Sequence, residues 1–218
     1  MVVINDSLPI RFQRSLCLDD ASKPLKVLIF ADNASMSMSG EAALALYYFD
    51  RLRERNHHIW LVCHSRVEAE LYSRYGEDIY NQIHFIRDSR LQKVIYHFSR
   101  YLPFRIRDNI IGQLLYLITQ LKARPIIRKL VKQMEIDLVF SPSFISPKAP
   151  SCLYDLGVPV VIGPMCGGID FPPCFQNLES ILDRLSTYLG RSAACALNAI
   201  FPGKSKAAAL LVANQQTA

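Results

Sequence analysis

DLVFSPSFISPKAPSCLYDLGVPVVIGPMCGGIDFPP, residues Asp137 to Pro173, is the stretch that decides the fold class. It holds two short apolar runs, Leu138–Phe140 and Val158–Ile162, each closed by turn-forming residues. A helix-length segment opening at Ser146-Pro147 and reaching Leu156 lies between them, so the spacing predicts a strand–helix–strand unit. The second run leads into Gly163-Pro164 and then Gly167-Gly168. Glycines just past a buried strand let backbone N–H groups approach a ligand, because no Cβ stands in the way. In an open parallel sheet the carboxyl ends of the strands are where ligands bind.

Outward from this unit the same alternation continues. Lys26–Asp32 (KVLIFAD) is a continuous apolar run, as expected for a strand covered on both faces. The small polar loop Asn33–Ser39 precedes a helix from Gly40, with Glu41 in its first turn and Leu44, Tyr48 and Leu52 on one face. His58–His64 predicts a second strand, Arg66–Tyr75 a helix closing at Gly76, Ile83–Ile86 a third strand and Leu91–Tyr101 a helix. Arg107–Ala123 predicts a further helix, broken at Pro125, which starts another through Met134. Leu178–Leu197 is a helical stretch and Leu210–Ala213 a last strand. Strands alternating with helices imply a single α/β, Rossmann-like domain with a mostly parallel sheet of six or seven strands. The domain is placed at residues 26–209, after a weakly ordered leader at 1–25; residues 210–218 are read as the start of a linker.

With half of its 218 residues apolar and a fifth charged, the chain can bury a sizeable core. The densest apolar stretch, Ile110–Leu121, is interrupted by Gln113, Thr119 and Gln120 and is too short to span a bilayer. The leader has no apolar centre and does not read as a secretory signal. Cys17, Cys63, Cys152, Cys166, Cys174 and Cys195 form no C-x-x-C pair, which argues against a zinc site or a disulfide scaffold. Reduced thiols and a cytoplasmic location are the expectation. Between Arg100 and Lys132 eight basic residues (Arg100, Arg105, Arg107, Lys122, Arg124, Arg128, Lys129, Lys132) face one acid, Asp108. The segment carries +7 of a net +6, which leaves the rest of the chain at −1. Such a patch reads as an anionic membrane surface, a solvated helix face or a nucleic-acid surface. Its mixture with Leu, Ile, Tyr and Phe favours the membrane, and the lack of an aromatic platform or reader motif disfavours nucleic acid.

The motifs of several common chemistries are missing. No G-x-G-x-x-G follows the first strand and no G-x-x-x-x-G-K-[ST] occurs, so neither a dinucleotide fingerprint nor a P-loop is present. G-x-S-x-G is absent as well. A Rossmann-type oxidoreductase is therefore disfavoured. Three places remain as candidates. Ser39-Gly40-Glu41 opens a helix and suits a phosphate or other polar ligand, or is a serine cap alone. His64, with Ser65 and Arg66, ends the second strand; it would orient or deprotonate a hydroxyl while Arg66 holds an anion, or it is a hydrogen-bonded loop histidine. Gly163, Pro164, Cys166, Gly167, Gly168 and Asp170 form a candidate binding wall, or a tight turn. His57 and His58 adjoin a strand start, at the edge away from these candidates, and receive no role.

Three blocks resemble one family: SGEAALALYYFDRLRERNHHIWLVCHSRVEAEL, ISPKAPSCLYDLGVPVVIGPMCGGIDFPPCF and PGKSKAAALLVANQQT. From about Lys26 onward the chain resembles the N-terminal, acceptor-side domain of retaining GT-B glycosyltransferases of the family 4-like group. The resemblance implies transfer of a sugar from a nucleotide-sugar to a hydroxyl of a glycan, lipid-linked or small-molecule acceptor, with retention. It implies no cofactor, no metal and a cleft shared with a C-terminal donor-binding domain that is missing here. The isolated chain is expected to be inactive; the alternative is a non-catalytic remnant or binding module. By the same resemblance Gly40, Glu41, His64, Arg66, Gly163, Pro164, Gly167, Gly168 and Pro172 match family positions. Ser39 replaces a glycine, Cys166 an asparagine, and Phe140-Ser141 a His-Gln pair. Arg105, Arg107, Lys122, Arg124, Arg128, Lys129 and Lys132 are the expected membrane-surface residues, implying a place on the inner face of the membrane.

Overall fold

The computed structural model describes residues 2–4, 23–101, 111–143, 145–167 and 195–213. Its elements run β1 (Val2–Ile4), β2 (Lys26–Phe30), α1 (Gly40–Glu54), β3 (His58–His64), α2 (Glu68–Tyr75), α3 (Glu77–Tyr80), β4 (Ile83–Ile86), α4 (Arg90–Ser99), α5 (Gly112–Met134), β5 (Leu138–Ser141), β6 (Val160–Met165) and β7 (Ala209–Val212). The strands form one seven-stranded sheet in the order β1-β7-β6-β5-β2-β3-β4. β2 to β7 run parallel, and β1 pairs antiparallel with β7 through Val2↔Leu211. The expected α/β class and mostly parallel, Rossmann-like sheet are therefore present. Val2–Ile4, expected to lie in a loose leader, is an edge strand of that sheet.

The continuous apolar runs of the inner strands are explained by two cores. Leu28 and Phe30 of β2 face one, with Val62, Val139 and the α5 residues Tyr116, Ala123, Ile127, Leu130 and Val131. Val27 and Ile29 face the other, with Leu61, Cys63, Ala45, Leu46 and Phe49 of α1, and Leu71 of α2. A strand buried on both sides has no polar face to alternate with.

Two expected helix boundaries are corrected. α5 is continuous from Gly112 to Met134 with Pro125 inside it. Pro125 removes one N–H and crowds the carbonyl four residues back. That residue, Leu121, and Pro125 itself are both exposed, so water reaches the freed carbonyl on the outer face while the inner face stays packed.

Ser146–Leu156 is not a helix but a run of turns and extended chain between β5 and β6. Pro147 and Pro150 disfavour helical backbone at the residues before them. The buried polar groups of this segment are met from outside. Gln120, 1 % exposed, donates from Nε2 to the Pro150 carbonyl at 3.0 Å and accepts from the Cys152 N–H at 2.9 Å. Lys204 Nζ donates to the Pro147 carbonyl at 2.5 Å, and Gly203 N–H to the Ser151 carbonyl at 3.0 Å. Burial pushes the Lys204 amine down to about 8. The run Val158–Ile162 also ends later than its apolar residues suggest, because β6 continues through Gly163 and Pro164 to Met165.

Candidate functional site

Chain order reverses between β2 and β5. The path runs outward through β3 and β4 on one side and through β5, β6 and β7 on the other. The crevice beyond the carboxyl ends of those two strands is where this sheet type holds ligands. Ser39–Glu41 follows β2, His64 ends β3, and Cys166-Gly167 follows β6, so the three candidate groups lie on one rim of the sheet. They are also connected. Glu41 Oε1 accepts from the Ile145 N–H at 2.8 Å, and the Cys166 N–H donates to the Ile145 carbonyl at 2.9 Å. One residue of the loop after β5 thus joins the opening of α1 to the bend after β6.

Several of the expected residues do different work from that read in the sequence. Ser39 caps α1, its Oγ accepting from the Ala42 N–H at 3.1 Å. A Cβ on Gly40 would meet nothing within 4 Å among the described residues outside its own helix backbone. Gly163 and Gly167 differ. A Cβ on Gly163 would overlap the Leu211 carbonyl of β7, and one on Gly167 would lie 2.9 Å from Pro147 Cδ. With φ of 123° and 145°, both positions favour glycine, and the chain itself fills the room they leave. They bring strands and loop together rather than admitting a ligand. Pro164 lies in β6, Cys166 is exposed, and Gly168 and Asp170 fall outside the described residues. Phe140 packs edge-on against Tyr48 of α1 at 4.8 Å, a core contact.

His64 is 1 % exposed and both of its ring nitrogens are engaged. Nδ1 accepts from the Arg66 N–H at 3.1 Å, which leaves the proton on Nε2, 2.9 Å from Asp88 Oδ1. The ring therefore braces the ends of β3 and β4 and offers no nitrogen to a hydroxyl, contrary to the base or orienting role expected of it. Arg66 is the open member of the pair: its side chain is 42 % exposed, and Nη2 lies 3.9 Å from Asp32 Oδ2. An open depression of about 440 Å³ adjoins it, lined by Ser65, Arg66, Glu68, Ala69, Tyr72 and Tyr80. A depression of similar size, at His57, His58 and Gln82, lies at the opposite rim, where the strands begin.

The residues that sequence reading passed over stand at the crevice itself. Asp32 Oδ1 and Asn33 Oδ1 after β2, and Ser143 Oγ after β5, are buried with no hydrogen-bond partner among the described residues. The β2–β5 register pairs Ile29 with Phe140; extended three places, it sets Asp32 opposite Ser143. Burial raises the Asp32 carboxyl above its ordinary value, and Arg66, His64 and the Thr119 hydroxyl pull it back only in part. The serine-rich loop beside it is tied down by Glu70. Its Oε2 accepts from Ser35 Oγ at 2.5 Å and Ser37 Oγ at 2.8 Å, and its Oε1 from the Met36 N–H at 2.7 Å. Against a burial cost, those hydrogen bonds hold Glu70 below the usual carboxylate range.

The basic segment does not present one free face. Lys122 Nζ donates to the Arg87 carbonyl, and Arg124 Nη2 to the Tyr154 carbonyl at 3.1 Å, its guanidinium 3.9 Å over that ring. Arg128 grips the Asp155 carbonyl through Nε and Nη2 at 3.1 and 2.8 Å. These three fasten α5 to its neighbours. Lys129 and Lys132 are exposed, while Arg105 and Arg107 fall outside the described residues. Among the described residues no group of His, Cys, Asp and Glu could hold a metal, and no helix is long and apolar enough to cross a membrane.

Fold and site together define a Rossmann-like α/β domain with buried side-chain oxygens at its switch point. No family model matches the chain, and no curated protein matches it.

Proposed function

We propose that this chain is the acceptor-binding half of a sugar transferase, receiving the hydroxyls of a glycan or other polyol at the switch-point crevice. The observation that supports this most directly is the set of three buried oxygens without partners among the described residues, Asp32 Oδ1 and Asn33 Oδ1 after β2 and Ser143 Oγ after β5. Buried acceptors of this kind are costly unless a donor completes them, and vicinal hydroxyls supply donors at close spacing. Arg66 adds a charged donor beside them. The loop after β2 lacks the glycines that let a backbone approach a pyrophosphate, which disfavours a dinucleotide there. The resemblance to family 4-like enzymes assigns the nucleotide-sugar to a second domain. In the transfer, the acceptor oxygen bonds to the anomeric carbon as the bond to the diphosphate breaks, and the hydroxyl proton passes to the departing diphosphate oxygen. Asp32 accepts the hydrogen bond of the incoming hydroxyl.

One observation favours a binding module without turnover: both nitrogens of His64, the histidine on this rim, are consumed within the fold. Calorimetric titration of the purified chain with a panel of glycans, nucleotide-sugars, and nicotinamide and flavin nucleotides tests the proposal. Glycan binding that Asp32→Leu and Asn33→Leu abolish is expected. Tight binding of a nicotinamide or flavin nucleotide, with no response to any glycan, would refute it.

A further inference from the structure

Helix α4 carries polar residues inward and apolar residues outward. Gln92 and Ser99 are its buried positions, each 2 % exposed. Gln92 closes a capping box with Ser89 and donates to Thr119 Oγ1 at 3.0 Å, so the inner face is held by hydrogen bonds. On the side turned away from them Leu91, Val94 and Phe98 follow one another at helical spacing, which lays them in a single stripe, and Tyr101 follows just past the C-cap Arg100. They are 59 %, 51 %, 66 % and 79 % exposed. Arg90, Lys93 and Arg100 lie on the flank of the stripe, all exposed, and no Asp or Glu occurs from Arg90 to Tyr101.

A contiguous apolar stripe on a folded domain marks a surface that something covers. Its charge chooses among covers. Fixed cations with no interspersed acid fit an anionic surface, and apolar side chains beside cations are the pattern of a helix lying in a lipid headgroup layer. We propose that α4 docks this chain on an anionic bilayer. Leu91, Val94, Phe98 and Tyr101 enter the acyl boundary, and Arg90, Lys93 and Arg100 meet lipid phosphates. The contact thus falls on α4 rather than on the α5 cations Lys122, Arg124 and Arg128, each of which donates to a backbone carbonyl within the fold. It does not depend on what the switch-point crevice binds.

Flotation of the full chain with vesicles tests this, using phosphatidylcholine alone and phosphatidylcholine with phosphatidylglycerol at one part in three. The chain should float with the anionic vesicles only, and high salt should release it. Arg90→Gln with Lys93→Gln should weaken partition by about 30-fold, and Leu91→Ser with Phe98→Ser by at least about 10-fold. Thermal melting of both double variants should match the unaltered chain, because the side chains are exposed. Failure to float with anionic vesicles, or equal flotation of the variants, overturns the proposal. A lowered melting temperature in Leu91→Ser/Phe98→Ser overturns it too, by showing the stripe covered within the chain. So does a concentration-dependent dimer that this variant abolishes, which would make a second copy the occupant.

Discussion

Replacing Gln120 by leucine should cost this fold far more than the loss of one side-chain amide suggests. Gln120 holds the non-helical crossover by bonding the Pro150 carbonyl at 3.0 Å and the Cys152 N–H at 2.9 Å. Cys152 is 0 % exposed and Pro150 is buried, so water does not replace the lost partner at either group. Each stranded group costs about 1–3 kcal/mol, and the apolar burial gained by leucine offsets part of it. A net loss of about 2–4 kcal/mol is expected, or roughly 5–15 °C in melting temperature for a chain of this size. Urea denaturation followed by far-ultraviolet circular dichroism measures it. Gln133→Leu, at an exposed position on the same helix, serves as the control and should stay within about 0.5 kcal/mol of the unaltered chain. If Ser146–Leu156 were helical it would satisfy its own carbonyls and N–H groups. A loss below about 1 kcal/mol for Gln120→Leu would then follow, and would refute the reasoning.

Other outcomes follow from the same contacts. Gly163→Ala drives a Cβ into the Leu211 carbonyl at a φ of 123° and should destabilise by about 2–4 kcal/mol, read in the same denaturation assay; a neutral substitution would mean β6 and β7 are not packed as described. The Asp32 carboxyl is raised above 3.8 in the fold, so the folded chain holds this proton more tightly than the unfolded one. Asp32 therefore loses stability as pH rises through its unfolded value toward its folded one. Asp32→Asn should match or exceed the unaltered chain in stability at pH 7.5, with the gap closing toward pH 4; a gap that reverses sign at pH 7.5 would show Arg66 outweighing burial. Burial pushes the Cys63 thiol far up and that of Cys152 to about 11, whereas Cys166 and Cys195 are exposed. Iodoacetamide at pH 8 on the folded chain should therefore modify Cys166 and Cys195 and spare Cys63 and Cys152, as peptide mass mapping would record.

The strands were the legible part of the sequence. KVLIF after Lys26 and HIWLVCH between its two histidines are apolar because both faces of the sheet are covered there, and burial of that kind is written in composition. The crossover after β5 is not legible locally, because its length and its Ser-Pro opening suit a helix start. What overrides them is Gln120, thirty residues away on α5, a long-range contact with no local signal. In the sequence Pro125 suggests a break, but a proline's effect depends on whether its turn faces water, which sequence alone leaves open. At the site, glycines past a strand suggest room for a ligand, but Gly163 and Gly167 make room for Leu211 and Pro147. Asp32 carried one signal that was passed over: an acid at the end of a fully buried strand is seldom there for solubility. Asn33 and Ser143 gave none, because their lack of partners exists only once β2 and β5 lie side by side.

The site itself is tested most directly by amide chemical-shift mapping of the isotope-labelled chain during titration with a glycan panel. Perturbations centred on Asp32, Asn33, Arg66 and Ser143 are expected, fading toward the start of each strand. Shifts gathered instead around His57, His58 and Gln82, where β3 begins, would contradict a hydroxyl-binding crevice between β2 and β5.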